Sequence, residues 1–434
     1  MSVVEADVQR GASSETNKVV PDEINEVVPD VATAKPASLW RNGDYWRLWG
    51  GQVASAVGSQ VSGLALPLLI LALTHSPAKA GLLAALRGLP YLLLVLPAGA
   101  LVDRWDPRRV MLVCDTGRAL ALATVPIALA LGHLPLAQLY AVTVVEGTLF
   151  VFFNQAESNC LVRVVSPAQL SAAVAQNEAV YGVSGLIGPA LGGVLYGLGR
   201  GVPFLADAIS YGFSLVALLT LKTDVRPAPP LDSAPLNLGA EIGEGLRWLL
   251  AHPVIRFVAV FTGVLMVSCA GWALILIVLA QRFGAGPAAI GLLLATGGAG
   301  GLVGSLLAVP LQKRLGFGPL MIGAGWVWAL TWVFYALAPN LIVLGVANAL
   351  SFVVVPIYLG TQYAYRLAQI PDRLQGRVNS VFRLVAFGSG PVGLAVTGLL
   401  LQKLGPVPTV WITFAPQAAL CLAATFHRAL REAA

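Results

Sequence analysis

Charge is what this 434-residue chain has least of. Lysine, arginine, aspartate and glutamate make up 11% of it, against 57% hydrophobic residues and a mean hydropathy of +0.78. A soluble chain of this length would wrap two or three cores in charged surface, so the composition excludes that class and leaves a membrane protein. The alternating segments of a transmembrane barrel are missing, and lipid then allows only helices. Cysteine is scarce as well: Cys114, Cys160, Cys269 and Cys421 have no paired or metal-ligand spacing and read as small core residues. The four histidines, His75, His133, His252 and His427, stand alone, so neither a metal site nor a His-Glu enzyme motif is expected. No lysine follows a glycine, which excludes a phosphate-binding loop and ATP as the driving force within this chain. No cofactor is called for.

What is present is a series of apolar or small runs of about twenty residues, each able as a helix to cross roughly 30 Å of hydrocarbon. They predict twelve spans, at 45–74, 80–102, 110–131, 136–158, 175–199 and 203–222, then 254–281, 287–311, 318–338, 340–366, 376–403 and 406–427. Twelve spans put both termini on one face. Lysine and arginine are retained in the cytoplasm, and with cytoplasmic termini that side receives the basic loops, among them Arg104, Arg108, Arg109, Lys313, Arg314 and Arg377. The other side receives only Lys79, Arg200, Arg282 and Lys403. The net charge of +6 is accounted for in this way, and nucleic acid is not an expected partner.

The expected organisation is an acidic, disordered cytoplasmic tail (1–44), a six-helix half (45–222), a cytoplasmic linker (223–253), a second six-helix half (254–427) and a short tail (428–434). The linker starts proline-rich and stiff. From about Leu236 to Ala251 it predicts an amphipathic helix on the inner membrane surface, with Leu238, Ile242, Leu246, Leu249 and Leu250 on one side and Glu241, Glu244 and Arg247 on another. The halves resemble each other. "GLLAALRG" (81–88) aligns with "GLLLATGG" (291–298) at a shift that also carries Arg104 onto Arg314, and Asn177 and Gly188-Pro189 align with Asn379 and Gly390-Pro391. Such parallel repeats place substrate sites between halves, near mid-membrane.

Two motifs give a resemblance. Gly99, Asp103, Arg104, Arg108 and Arg109, between spans 2 and 3, resemble the cytoplasmic signature of the major facilitator superfamily, and Asp106 at its usual second glycine is similar to the macrolide-efflux and enterobactin-exporter branch. On span 5, Ser184, Gly188, Pro189, Gly192 and Gly193 resemble the drug:proton antiporter signature, with serine at its first glycine. The resemblance covers about 45–427. It implies the two-halved, pseudo-symmetric twelve-helix fold. Small residues on span 5 also serve plain helix packing, and the basic residues of the loop also serve topology. Asp103 exceeds a topology signal, because an acid at a helix end can cap an adjacent helix. The resemblance implies that this helix is span 11, near Gly376 and Arg377, and that Asp103 is a cytoplasmic latch. Its repeat counterpart is Lys313, so only the first loop can serve.

Ionisable residues within spans are expensive and are functional candidates. Glu146 lies halfway along span 4 in a stripe with Phe150, Phe153 and Glu157. The resemblance implies that spans 1, 4, 7 and 10 line the cavity, so Glu146 either carries the coupling proton or meets a substrate cation beside two aromatic faces, or is a neutral core acid. Arg87 and Arg383, on spans 2 and 11, either greet an anionic group or pair with an acid across the halves. Asp115 and Arg118 read as a local ion pair near the inner surface, and Asp207 and Glu178 as residues within reach of water. Two family features are missing: Thr143 stands where many antiporters have an arginine on span 4, and Gly58-Ser59 lacks the acid often found on span 1.

The expected function is secondary active export of an amphipathic small molecule (antibiotic, drug or secondary metabolite) across the bacterial inner membrane, by proton antiport and alternating access. Siderophore export and lysophospholipid flipping are the alternatives within this fold; a transporter-like sensor or membrane enzyme is the alternative outside it. Arg87 suits an anionic substrate and Glu146 a cationic one. The expected partners are the substrate, protons and membrane lipid, with the protein a monomer and not an enzyme.

Overall fold

Serine or aspartate followed by proline punctuates the start of one helix after another. Proline at the first helical position has no amide to waste and a φ already set for the helix, while the preceding side chain caps bare amides. A computed structural model describes residues 39–225 and 238–431, and the tail expected at 1–44 lies outside them up to residue 38. The helices of the first half are α1 (Gly43–Thr74), α2 (Pro77–Val102), α3 (Pro107–Ala130), α4 (Leu136–Val164), α5 (Pro167–Leu198) and α6 (Val202–Leu219). The linker helix is α7 (Leu238–Ala251). The second half has α8 (Pro253–Cys269), α9 (Trp272–Arg282), α10 (Pro287–Arg314), α11 (Phe317–Leu337), α12 (Leu341–Gln369), α13 (Gln375–Phe387), α14 (Gly390–Leu404) and α15 (Pro406–Phe426), and α16 (Arg428–Arg431) ends the described chain. Among the described residues twelve spans are long and apolar enough to cross a membrane, two of them broken, α8–α9 and α13–α14.

The caps move several starts outward from those the apolar runs predict. Asp106 accepts from the amides of Arg108 and Arg109, so α3 begins at Pro107 instead of 110. A capping box of Ser166 and Gln169 starts α5 at Pro167, eight residues before the expected 175. On the face that carries the linker, Asp44 accepts from the amides of Lys222 and Thr223 and so ties the end of the first half to the start of α1. That side is the linker face.

The halves meet along two seams related by the repeat. Helix α2 runs against α14, where Gly81 faces Gly398 so closely that a Cβ on Gly81 would stand 2.7 Å from the Gly398 Cα. Helix α5 runs against α10, where a Cβ on Gly193 would stand 2.4 Å from the Pro287 carbonyl oxygen and 3.0 Å from the Gly291 Cα. Both crossings lie near the face opposite the linker, at the start of α2 and the end of α5. Further towards the linker face, a Cβ on Gly99 would meet open space.

Helix α7 does not lie as a free amphipathic strip. Gly245 rests on the carbonyl of Arg377, Glu244 pairs with the Arg377 guanidinium, and Leu249 is buried, so the helix docks on α13 and α8. Leu246 and Leu250 stay exposed, which splits the stripe expected to face lipid. The side chains of Leu238 and Glu241 lie outside the described residues.

Candidate functional site

Three charged residues sit at one depth. Arg87 and Glu146 are each ten residues into their helices from the face opposite the linker, and Arg118 is eleven residues into α3 from the linker face. At 1.5 Å per residue each is about 15–17 Å from its helix start, which is half of a roughly 30 Å hydrocarbon layer. They meet there. Arg87 Nε is 3.0 Å from Glu146 Oε2, and Arg118 Nη2 is 3.2 Å from Glu146 Oε1. Glu146 and Arg118 are each 2% exposed, whereas the Arg87 side chain is 33% exposed.

The group lines a cavity of about 480 Å³ whose walls come from α1 to α5, all in the first half. Of the spans expected to line a cavity, 1 and 4 do so here. Spans 2, 3 and 5 join them, and the close approach of α2 to α4, with Gly147 against the Arg87 carbonyl, brings Arg87 to the wall.

Arg118 is the largest departure from the sequence reading. The local pair with Asp115 is present, at 3.9 Å, but at mid-depth and as one spoke of a hub: Glu146 is closer, and Nη2 also donates to Ser59 Oγ at 3.1 Å. Its guanidinium lies 4.3 Å from the Tyr211 ring centroid, 5.6 Å from Phe150 and 5.9 Å from Phe153. The aromatic stripe of α4 thus already faces a cation, and that cation belongs to the protein. The signal was in the sequence: Asp106-Pro107 marks a helix start, and counting from there puts Arg118 at mid-depth. Ser59, at the place where the branch often has an acid, is a hydroxyl shared between Arg118 and Tyr211.

Asp207 is also deeper in protein than expected. It is fully buried, accepts from Ser62 and from Ser210 at 3.2 Å, and leaves Gly58 no room for a side chain, since a Cβ there would stand 2.5 Å from its Oδ1. Helix depth alone suggested water, but α1 covers this side of α6. Glu157 is buried at the cavity wall and accepts from Asn177 at 3.2 Å. In the second half, between 254 and 427, the sequence has a single acid, Asp372, which lies between spans.

The remaining predicted residues separate. Arg383 donates to Tyr91 Oη at 2.8 Å, a contact between the halves made with a phenol and not with an acid. Gly188 and Gly192 of the span 5 motif pack on Gln60 and Val61 of α1 inside the first half, Gly193 faces α10, and Ser184 lines the cavity beside Pro189's turn. Asp103 accepts from Asn159 of α4 at 2.9 Å, while Arg377 holds Glu244. The expected contact between Asp103 and the start of span 11 is therefore not made in this structure, because both prospective partners are engaged elsewhere. Arg104 lies in the turn, Arg108 donates to the Leu219 carbonyl at 2.7 Å, and Arg109 stands 3.5 Å from Asp106.

Residues 34–433 match the family described as transmembrane secretion effector. The chain belongs to this family of the major facilitator superfamily. Among curated relatives it is 27% identical to the multidrug efflux pump Tap of Mycolicibacterium fortuitum over 391 residues, covering 88% of this chain and 94% of that protein. It is 25% identical to the enterobactin exporter EntS of Escherichia coli O1:K1 / APEC over 354 residues, covering 81% and 84%. The crystal structure of a point mutant of the nucleoside transporter NupG superposes with a TM-score of 0.74 at 12% identity, covering 88% of this chain and 99% of that one, and shares its fold. The chain is thus a multi-pass membrane transporter of the superfamily's efflux branch.

Proposed function

We propose that the chain is a secondary active exporter of the bacterial inner membrane that moves an amphipathic small molecule outward in exchange for protons. The linker face and both termini are cytoplasmic, in keeping with the basic loops, and the protein acts as a monomer by alternating access. One observation carries the reading: a carboxylate at mid-depth on the cavity wall, Glu146, held between Arg87 and Arg118. A buried ion pair persists only while both charges are present. A proton on Glu146 releases Arg87, the more exposed partner, into the cavity, while Arg118 keeps Asp115 and Ser59. The proton thereby changes the charge that the cavity presents to a substrate.

The rest of the molecule supports a rocking cycle. The glycine crossings close the face opposite the linker, and Asp103 is free to leave Asn159 when the linker face closes. It then caps the first turn of α13, where bare amides donate to a carboxylate. Everted vesicles energised with a pH gradient test this reading, with cationic drugs, macrolides, siderophores and lysolipids added in turn while proton release is monitored. At least one compound is expected to dissipate the gradient; if none does, proton antiport falls.

A further inference from the structure

Both guanidiniums of the cavity are engaged by Glu146, and the faces of Phe150 and Phe153 look at Arg118. A second carboxyl lines the same cavity. Glu157 lies eleven residues further along α4 than Glu146, about 16 Å nearer the linker face. It is 6% exposed, and among the described residues no lysine or arginine stands within ion-pair distance of it. Its hydrogen-bond donor is the neutral amide of Asn177 on α5. One turn on, at i+4 and so on the same side of α5, Tyr181 also lines the cavity and is 45% exposed. A buried carboxyl with no cation beside it among the described residues stays charged only when a cation joins it, and an accessible aromatic face next to it favours an organic one.

We propose that Glu157 and Tyr181 form a binding subsite for an organic cation, an ammonium or phosphonium centre on an apolar body, separate from the Arg87–Glu146–Arg118 cluster. A cation arriving from the linker face meets Glu157 before the guanidiniums, which repel it. The proposal deepens the export reading by naming the charge of the substrate, and it rests on that reading only for the direction of movement, since equilibrium binding needs no gradient.

The probes are tetraphenylphosphonium and tetraphenylborate, which share a shape and differ in charge, bound at equilibrium to the purified protein in lipid nanodiscs. The wild type is expected to prefer the phosphonium. Glu157→Gln weakens phosphonium binding by about tenfold or more, equivalent to about 1.4 kcal/mol, and leaves the borate unaffected or improved. Glu157→Asp keeps the preference, which separates loss of charge from damage to the fold. Tyr181→Leu weakens the phosphonium by about threefold and Tyr181→Phe does not, as a ring-face contact requires. Equal binding of the two ions by the wild type, or an unchanged phosphonium affinity in Glu157→Gln, overturns the subsite. Intact binding without proton release in energised vesicles would count against antiport and leave the subsite standing.

Discussion

Arg118 on α3 and Glu146 on α4 start from opposite faces of the membrane and meet at its middle, 3.2 Å apart, in a pocket where each is almost wholly buried. Pairs in that position are strongly coupled: removing one partner strands the other, at a cost of about 3–5 kcal/mol, whereas removing both charges is milder. Glu146→Gln is therefore expected to lower the thermal unfolding temperature in detergent and to abolish proton release. Replacing Arg87 as well, by Gln, leaves Arg118 with Asp115 and recovers part of the stability but not transport. Full proton-coupled transport by Glu146→Gln removes the residue from the mechanism.

Asp103→Asn is expected to slow turnover several-fold while equilibrium substrate affinity stays nearly constant. The amide retains the contact with Asn159 that Asp103 makes now, but it loses the charge that attracts the start of α13. Initial rates and equilibrium binding on the same preparation separate the two effects. An unchanged rate would end the latch assignment.

Gly291→Val places a side chain whose first carbon already falls 2.3 Å from the Pro189 carbonyl oxygen. No flexible neighbour can yield there, so closure of the face opposite the linker is weakened. Spin labels near the ends of α5 and α10 on that face should report a longer distance in the variant. Gly212→Ala, where a Cβ meets open space, is the control and should leave the distance alone. If both variants keep the wild-type distance, the glycine seam is not what holds that face shut.

Asp207→Leu removes the acceptor used by the hydroxyls of Ser62 and Ser210 in a dry environment and is expected to cost about 1–3 kcal/mol of stability. Asp207→Asn keeps an acceptor and costs less. Thermal unfolding followed by tryptophan fluorescence ranks the two, and equal midpoints would mean that the serines find other partners.

The twelve spans and the repeat were legible because lipid leaves helices as the sole option and because length and basic loops report topology directly. Glu146 and Arg87 were legible as isolated charges in apolar runs. Their union was not, since Arg87 and Glu146 lie on different helices, and nothing in either run states that α2 and α4 touch at Gly147. Arg118 was misplaced by three residues of helix: the polar cap at Asp106 does not look apolar, so an apolar count starts too late. Asp207 was misread for a related reason, because depth along one helix says nothing about which neighbour covers it. The linker helix was found by its periodicity, but a stripe of leucines cannot tell a protein face from a lipid one.

The two glycine crossings also bear on how such a chain changes over generations. At Gly81 and Gly398, and again at Gly193 and Gly291, each residue occupies the volume its partner would need for a side chain. A methyl group gained at one position has nowhere to go unless the backbone opposite retreats. A side chain at any of these four positions therefore needs a matching retreat in the other half, and a designer joining one half of this transporter to a relative's other half must find glycine already waiting opposite each of them.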